Sequence, residues 1–349
     1  MNLLIRADAS VAMGTGHVMR CLALAQAWQD AGGRACFAMD AGSPGLQDRL
    51  RSEGIDVVTI RGKAGSREDS DQTAQSAAVQ RAEWVVVDGY HFGADYQAAL
   101  KASGCKVLFV DDNGHAQPYS ADIVLNQNAY AREDFYSDRA TGTGLLLGPR
   151  YAMLRREFRM PGGRRQAINP EGKRVLVTFG GSDQANLTMR AIQALDRAGE
   201  SGLEATIVVG GSNPHAYELE KALSKAKTQS RLQRDVKDMR PLMASADIAI
   251  SAAGTTILEL ACMGVPMILV CAAENQQRNA EACARSGIAL ILGTLEEVSP
   301  ACIAEALKEL IRDEERRNEM ANRSRAIVDG LGAERVVTSL MTNERRRNG

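Results

Sequence analysis

Short apolar runs alternate with amphipathic segments along most of the chain. NLLIRAD, near the N-terminus, has the continuous apolar character of a strand buried on both faces. HVMRCLALAQAWQDAG follows it and repeats apolar residues three and four positions apart, which predicts a helix. The same order recurs through ACFAMD, WVVVDG and KVLFVDD, with helical patterns between them. Strands that are separated by helices and end in Asp or Gly indicate a parallel α/β sheet.

The alternation lapses over residues 156–172 and then restarts. That segment is basic and contains prolines and glycines without a regular apolar period. RVLVTFGGSD, LEATIVVGGSN and DIAISAAG then repeat the strand pattern. We therefore expect an N-terminal domain over residues 1–155, a linker over 156–172, and a C-terminal domain over 173–340 that ends in a helical extension. The pattern favours an α/β fold of two doubly wound, Rossmann-like domains facing a central cleft.

Composition narrows the classes of function. The formal net charge of −1 gives no basic footprint for nucleic acid, and no apolar run has membrane-spanning length. The N-terminus meets charged residues too early for a signal peptide. The seven cysteines are scattered without metal-binding spacing, so we expect reduced thiols, a cytoplasmic protein and no bound metal. The oligomeric state stays open, a monomer included.

The first candidate site is the segment GTGH. Gly14, Thr15 and Gly16 form a glycine-rich turn just before a predicted helix, whose free N–H groups suit a phosphate. The dinucleotide-binding fingerprint is incomplete because Met19 stands where its third glycine would be. A nicotinamide cofactor is therefore not expected, and we expect no other cofactor.

His17 follows this turn in the first turn of the helix. The positive end of the helix dipole and the nearby Arg20 both favour a neutral imidazole, which is the form that a general base needs. A histidine that only hydrogen-bonds a neighbouring loop fits the position equally well.

The second candidate site lies in SAAGTTILEL. Gly254, Thr255 and Thr256 join a strand to a helix and could hold a diphosphate, while Glu259 lies one turn later and could bind a ribose diol. An N-cap with a solvent-facing glutamate is the structural alternative.

Further polar residues follow the ends of other predicted strands, where ligands of parallel sheets bind. Each has a structural alternative as a turn or capping residue. The candidates are Asp88, Tyr90 and Asp111 in the first domain, and Gly180, Gly181, Ser182, Asp183, Asn275 and Gln276 in the second.

These motifs together resemble a known family. SAAGTTILELACMGVPMILV and ENQQRNA resemble the nucleotide-sugar half of GT-B glycosyltransferases. GTGHVMRCLALA, VDGYHF, VDDNG and TFGGSD resemble the UDP-sugar hydrolases of pseudaminic acid biosynthesis, a pathway that serves flagellin glycosylation. Those enzymes split UDP-2,4-diacetamido-2,4,6-trideoxy-β-L-altropyranose into UDP and free sugar. The resemblance runs from about Leu4 to Leu292.

The resemblance implies roles for matching positions. His17 would activate the attacking water, with Tyr90 and Asn275 beside the sugar as the other catalytic residues. Glu259 would bind the uridine ribose, and Thr255 and Thr256 would lie near the diphosphate, without a metal.

Three rival functions stay open at this point. A glycosyltransferase of the same fold would transfer the sugar to an acceptor. A UDP-sugar 2-epimerase would change its configuration. A sensor would bind the UDP-sugar without consuming it, although His17 argues against that.

Overall fold

The computed structural model describes residues 1–10, 14–42, 44–159, 169–211 and 213–348, with side chains described through Asn343. The chain divides into two compact units. Unit 1 comprises Met1–Arg159 together with Gly330–Gly349, and unit 2 comprises Met160–Asp329. Each unit is a parallel sheet with helices in most of the connections between its strands, as the alternating pattern predicts.

Unit 1 contains a seven-stranded sheet in the order β3-β2-β1-β4-β5-β6-β7. Its strands are β1 (Asn2–Ala7), β2 (Arg34–Met39), β3 (Asp56–Thr59), β4 (Trp84–Asp88), β5 (Val107–Val110), β6 (Ile123–Asn126) and β7 (Gly144–Leu147). Its helices are α1 (Gly16–Asp30), α2 (Pro44–Ser52), α3 (Arg67–Gln80), α4 (Ala94–Ala102), α5 (Arg156–Arg159) and, from the C-terminus, the helix Gly332–Asn348. Short 3₁₀ helices cover Glu133–Tyr136 and Pro149–Tyr151.

Unit 2 contains a six-stranded sheet in the order β10-β9-β8-β11-β12-β13. Its strands are β8 (Arg174–Thr178), β9 (Glu204–Val209), β10 (Gln229–Arg234), β11 (Ile248–Ala252), β12 (Met267–Cys271) and β13 (Ala289–Thr294). Its helices are α6 (Leu187–Ala198), α7 (Ala216–Leu223), α8 (Arg240–Ser245), α9 (Thr256–Met263), α10 (Gln277–Arg285), α11 (Pro300–Arg312) and α12 (Glu314–Ile327), with a 3₁₀ helix at Glu274–Gln276. The C-terminal helix Gly332–Asn348 of unit 1 comes after all of these in the chain and is called α13.

The strand order reverses once in each sheet. In unit 1 the reversal lies between β1 and β4, where Ala7 pairs with Asp88. In unit 2 it lies between β8 and β11, where Thr178 pairs with Ser251. The chain leaves neighbouring strands in opposite directions at such a point, which opens a crevice at their carboxyl ends. The candidate loops after β1, β4, β8 and β11 lie at these two points.

The C-terminal helix corrects the expected domain boundary. Residues 330–340 were expected in the second domain, but α13 packs on unit 1. Its apolar stripe of Ala333, Val336, Val337 and Leu340 is buried in the same core cluster as the apolar face of α1. The sequence pattern predicts such a stripe but not the helix that will cover it.

The first residues of the expected linker belong to unit 1. Arg156–Arg159 forms α5 within unit 1, where Arg156 forms an ion pair with Asp30 at 2.7 Å and its backbone N–H donates to the Gln26 side chain. Residues 160–168 lie outside the described part of the chain.

Replacing Leu340 by Ala should destabilise unit 1 by about 2–5 kcal/mol, because it removes a buried side chain from the interface with α1. Both tryptophans of the chain, Trp28 and Trp84, are buried in unit 1, so their fluorescence during denaturation reports this unit. The exposed Thr338→Ala on the same helix should change the unfolding free energy by less than about 0.5 kcal/mol. An L340A variant with an unchanged tryptophan transition would contradict the packing of α13 on this unit.

Candidate active site

His17 lies at the switch point of unit 1. Gly14 adopts a positive φ of 72° and its N–H donates to the Ser10 carbonyl at 2.8 Å, which shapes the turn before α1. α1 begins at Gly16, so His17 stands in its first turn, as predicted, and keeps 7% of its surface exposed. The residue is thus held by buried structure while part of its ring reaches the surface.

A buried carboxylate orients the His17 ring. Its Nδ1 lies 2.7 Å from Asp88 Oδ1, and Asp88 is fully buried at the end of β4. Burial alone would raise the pKa of Asp88, but the guanidinium of Arg20 and the His17 ring hold it well below its usual value. An ionised carboxylate only accepts hydrogen bonds, so Nδ1 must carry the proton. In the neutral form of the ring, the proton on Nδ1 leaves the Nε2 lone pair to accept another proton.

Arg20 connects two carboxylates beneath His17. Its Nε and Nη2 donate to Asp88 at 2.7 Å, and its Nη1 donates to Asp112 at 2.8 Å. Burial opposes the charge on Arg20, but the two carboxylates raise its pKa well above its usual value. Its Nη2 also lies 3.2 Å from His17 Nδ1, so a guanidinium and a carboxylate act on this ring with opposite sign.

Tyr90 covers the exposed side of this network. Its ring lies edge-on to His17 with centroids 4.8 Å apart and an interplanar angle of 86°. Its hydroxyl makes a long hydrogen bond of 3.4 Å to Asp112, which also accepts a bond from Asn128 at 2.6 Å. Tyr90 is 38% exposed, so an aromatic ring and a hydroxyl are available beside the His17 imidazole.

Two aspartates that were expected to contact substrate are buried and hydrogen-bonded to side chains of unit 1. Asp88 is inaccessible and orients His17. Asp111 is 1% exposed, and its carboxylate accepts hydrogen bonds from the Tyr119 hydroxyl and from the backbone N–H groups of residues 113–116. An aspartate at a strand end gives the same sequence signal whether it binds a ligand or organises the loop after it.

The sequence interpretation missed the roles of Arg20 and Asn128. It treated Arg20 only as a repulsive charge near His17. Arg20 lies one turn after His17 on a helix whose buried positions are mostly apolar, and a cation at such a position requires buried carboxylate partners. That signal could have indicated the pairing. Asn128 carries no comparable signal, because its position depends on the turn after β6.

The loop after β8, at the switch point of unit 2, is in contact with the glycine turn after β9. Gly180 has a positive φ of 84°, and a Cβ on Gly210 would lie 2.2 Å from the Gly181 carbonyl. The second Gly-Gly motif thus has a packing reason. Asp183 accepts hydrogen bonds from the backbone N–H groups of Leu187 and Thr188 at 2.9 Å, so it caps the start of α6, one of its two expected roles. Ser182 is half-buried in the same turn.

The loop after β11 presents polar groups at the same edge. Thr255 is exposed just before α9, while Thr256, in the first turn of α9, and Glu259, one turn from Thr255, are partly exposed. Gln276 lies next to this loop, since a Cβ on Gly254 would be 3.6 Å from its Nε2. Its Oε1 accepts a hydrogen bond from the Ala272 N–H at 3.0 Å. The two segments that the sequence analysis singled out therefore meet.

Asn275 is exposed in the 3₁₀ helix that follows β12. It lies in unit 2, as the strand pattern predicts, and its expected catalytic role stays a prediction. Among the described residues, no group of three His, Cys, Asp or Glu side chains is arranged to hold a metal ion.

Comparison with known proteins identifies the fold. Residues 175–335 match the glycosyltransferase family 28 C-terminal domain. The crystal structure of Acinetobacter baumannii MurG has a TM-score of 0.66 at 18% identity, over 98% of this chain and 99% of that one. The chain therefore has the GT-B fold, which confirms the predicted fold class.

Two relatives match most of this chain in sequence. The chain is similar to the UDP-2,4-diacetamido-2,4,6-trideoxy-beta-L-altropyranose hydrolase of Campylobacter jejuni, with 26% identity over 291 residues that cover 82% of this chain and 97% of that enzyme. This confirms the resemblance inferred from the motifs. The chain is also 24% identical over 283 residues to the uncharacterized protein MJ1062 of Methanocaldococcus jannaschii, and the match covers 79% of this chain and 57% of that protein.

Within the described ranges, no helix is both long enough and apolar enough to cross a lipid bilayer.

Replacing Asp88 by Asn should lower the unfolding free energy of unit 1 by about 3–5 kcal/mol at neutral pH, because it leaves buried Arg20 without half of its counter-charge. The folded-state pKa of Asp88 is depressed, so its stabilisation is present above its ordinary value of 3.8 and is lost as pH falls through the folded-state value. Tryptophan-monitored denaturation should therefore show a difference from wild type that narrows in acid.

The exposed Asp138 provides the matched control. D138N should change the unfolding free energy by less than about 0.5 kcal/mol at every pH. Equal stabilities of D88N and wild type at neutral pH would show that the Asp88 network carries no net stabilisation.

Proposed function

We propose that this protein hydrolyses a UDP-linked diacetamido-trideoxy sugar to UDP and free sugar, as a cytoplasmic step of pseudaminic acid biosynthesis. The observation that carries this proposal is the His17–Asp88 pair at the switch point of unit 1, on a chain similar to a hydrolase of that substrate class. A relative with that name supports the reaction type, and the family 28 domain supports a nucleotide-sugar ligand.

In this proposal neutral His17 acts as the general base. Its Nε2 takes a proton from a water molecule while the water oxygen attacks the anomeric carbon. The bond from that carbon to the diphosphate oxygen breaks, and the electron pair leaves with UDP. Direct attack inverts the anomeric configuration. The Asp88 carboxylate stabilises the imidazolium that forms, because it already accepts the Nδ1–H bond.

Tyr90 is proposed to contact the sugar beside His17. It is the partly exposed aromatic residue that contacts the His17 ring, and its hydroxyl reaches the Asp112 carboxylate. A ring in this position would limit the directions from which water approaches the imidazole. Asn275 is proposed as a further contact to the sugar, on the basis of the resemblance alone.

Unit 2 is proposed to bind the UDP moiety. The first N–H groups of α9 and the hydroxyls of Thr255 and Thr256 suit a diphosphate. Glu259 lies one turn further along and suits a ribose diol, which needs two acceptor positions. The glycine turn at Gly180–Gly181 leaves space for close approach of a ligand to the backbone, since nothing lies within 4 Å of a Cβ placed on Gly180. Backbone dipoles would then stabilise the leaving diphosphate without a metal.

A glycosyltransferase is the second candidate, because the family 28 domain and the fold are shared with transferases. The two functions differ in what happens without an acceptor. A hydrolase releases UDP at its full rate when only the UDP-sugar is supplied. A transferase needs an added acceptor for the same rate.

Replacing His17 by Asn or Leu should lower kcat for UDP release by about 100-fold or more, because the general base is lost. The Kd for UDP should be unchanged, since UDP is proposed to contact unit 2. Stopped assays with the UDP-sugar and isothermal titration with UDP measure the two quantities. A wild-type kcat in either variant would show that His17 is not the general base.

Replacing Glu259 by Gln should raise the Kd for UDP about tenfold, since a hydrogen bond to a charged group contributes about 1.5–3 kcal/mol. The matched control is Glu281→Gln, an exposed carboxylate of the same unit that forms an ion pair with Arg285. The control should bind UDP like wild type. Equal UDP affinities in E259Q and E281Q would contradict the assignment of the ribose site.

A further inference from the structure

A second histidine lies on the other side of Tyr90. The His115 ring centroid is 6.1 Å from that of Tyr90, in an edge arrangement, while the His17 centroid is 4.8 Å away. Like His17, His115 has its Nδ1 against a buried aspartate, at 2.8 Å from Asp111 Oδ1. The fold brings His115 to the candidate site.

The two aspartates differ in their cationic partners. Asp88 has the guanidinium of Arg20 as a permanent counter-charge. The partners of Asp111 are backbone N–H groups, the Tyr119 hydroxyl at 2.5 Å and the His115 ring. Among these partners, all within the described residues, the imidazole is the group that can become a cation. The charge on Asp111 is therefore balanced when His115 is protonated.

Neighbouring groups favour that protonated form. The hydrogen bond to Asp111 raises the pKa of His115, burial opposes it, and the charge of Asp111, the Phe92 backbone and Asp112 raise it further. Phe92 is two residues beyond Tyr90 on the loop after β4, whereas Asp111 begins the loop after β5. His115 thus joins the two loops that form this side of the site.

Ring contacts contribute to the orientation of Tyr90 on both of its sides. It is 38% exposed, and its hydroxyl bond to Asp112 is long at 3.4 Å. Ring contacts with His17 and His115 on its two sides are therefore important constraints on its position.

We propose that His115, paired with Asp111, is a positioning residue that holds Tyr90 against the His17 ring. The inference rests on the proposed function only for its effect on catalysis; the position of Tyr90 can be measured without a substrate. Deprotonation of His115 as the pH rises weakens its bond to Asp111 and loosens the hold on Tyr90. Among the described residues, Asp111, Asp112 and the Tyr90 ring are titratable groups that face it, with Tyr119 bonded to Asp111.

The structural arm of the test is nuclear magnetic resonance of the apo protein. The chain has four histidines, so the loss of one imidazole signal in His115→Gln assigns His115. Its titration midpoint should lie above the ordinary 6.5. The nuclear Overhauser contact between the His17 and Tyr90 rings should be present in wild type and in the control His215→Gln, and lost or reduced in H115Q. A midpoint at or below 6.5, or an unchanged ring contact in H115Q, would overturn the proposal.

The catalytic arm is a double-mutant cycle with the UDP-sugar. H115Q should lower kcat/KM about tenfold, less than the roughly 100-fold loss that a displacement of 1 Å can cause. In a Tyr90→Leu background the same substitution should have no further effect, because the residue it positions is gone. The alkaline decline of wild-type kcat/KM should be absent in H115Q. Additive effects, or the same alkaline limb in both proteins, would overturn the proposal.

The two arms separate this inference from the proposed function. If wild type releases no UDP but the ring contact depends on His115, the function is wrong and the positioning role stands. If wild type is active but the contact is independent of His115, the positioning role is wrong and the function stands.

Discussion

The site in unit 1 depends on the Asp88 carboxylate, which is ionised without access to water. A buried carboxylate is costly unless its oxygens accept good hydrogen bonds from cationic or polar donors. Arg20 donates two of these bonds and His17 donates one. Because the buried carboxylate is unstable without them, it constrains where both donors lie. The same constraint fixes the imidazole tautomer, and with it the nitrogen that can act as a base.

The strand order explains why these residues meet. His17 and Asp88 are 71 positions apart in sequence, yet β1 and β4 are neighbours at the reversal of the sheet. In unit 2, β8 and β11 are likewise neighbours at the reversal of the sheet, so the loops after them begin side by side. Each unit therefore concentrates polar groups at one edge of its sheet, while most of its strands are largely apolar. This arrangement supports the proposal that the imidazole chemistry belongs to unit 1 and nucleotide binding to unit 2.

Much of the fold could be predicted from the alternation of apolar runs and helical patterns, because each element must bury its apolar face. The return of α13 to unit 1 could not, since its stripe of Val336, Val337 and Leu340 fits any apolar partner. The position of His17 at the helix start was predicted, whereas the buried roles of Asp88 and Asp111 were not. Strand-end aspartates look alike in sequence, and only three-dimensional packing decides whether water or ligand reaches them. The catalytic role of His17 stays a prediction.

The fate of the oxygen atom from water tests the central claim most directly. Turnover of the UDP-sugar in water enriched in ¹⁸O, followed by mass spectrometry of both products, identifies the atom that is attacked. Attack at the anomeric carbon predicts label in the free sugar and none in UDP. Label in the terminal phosphate of UDP would show attack at phosphorus and would contradict the mechanism built on His17 and Asp88.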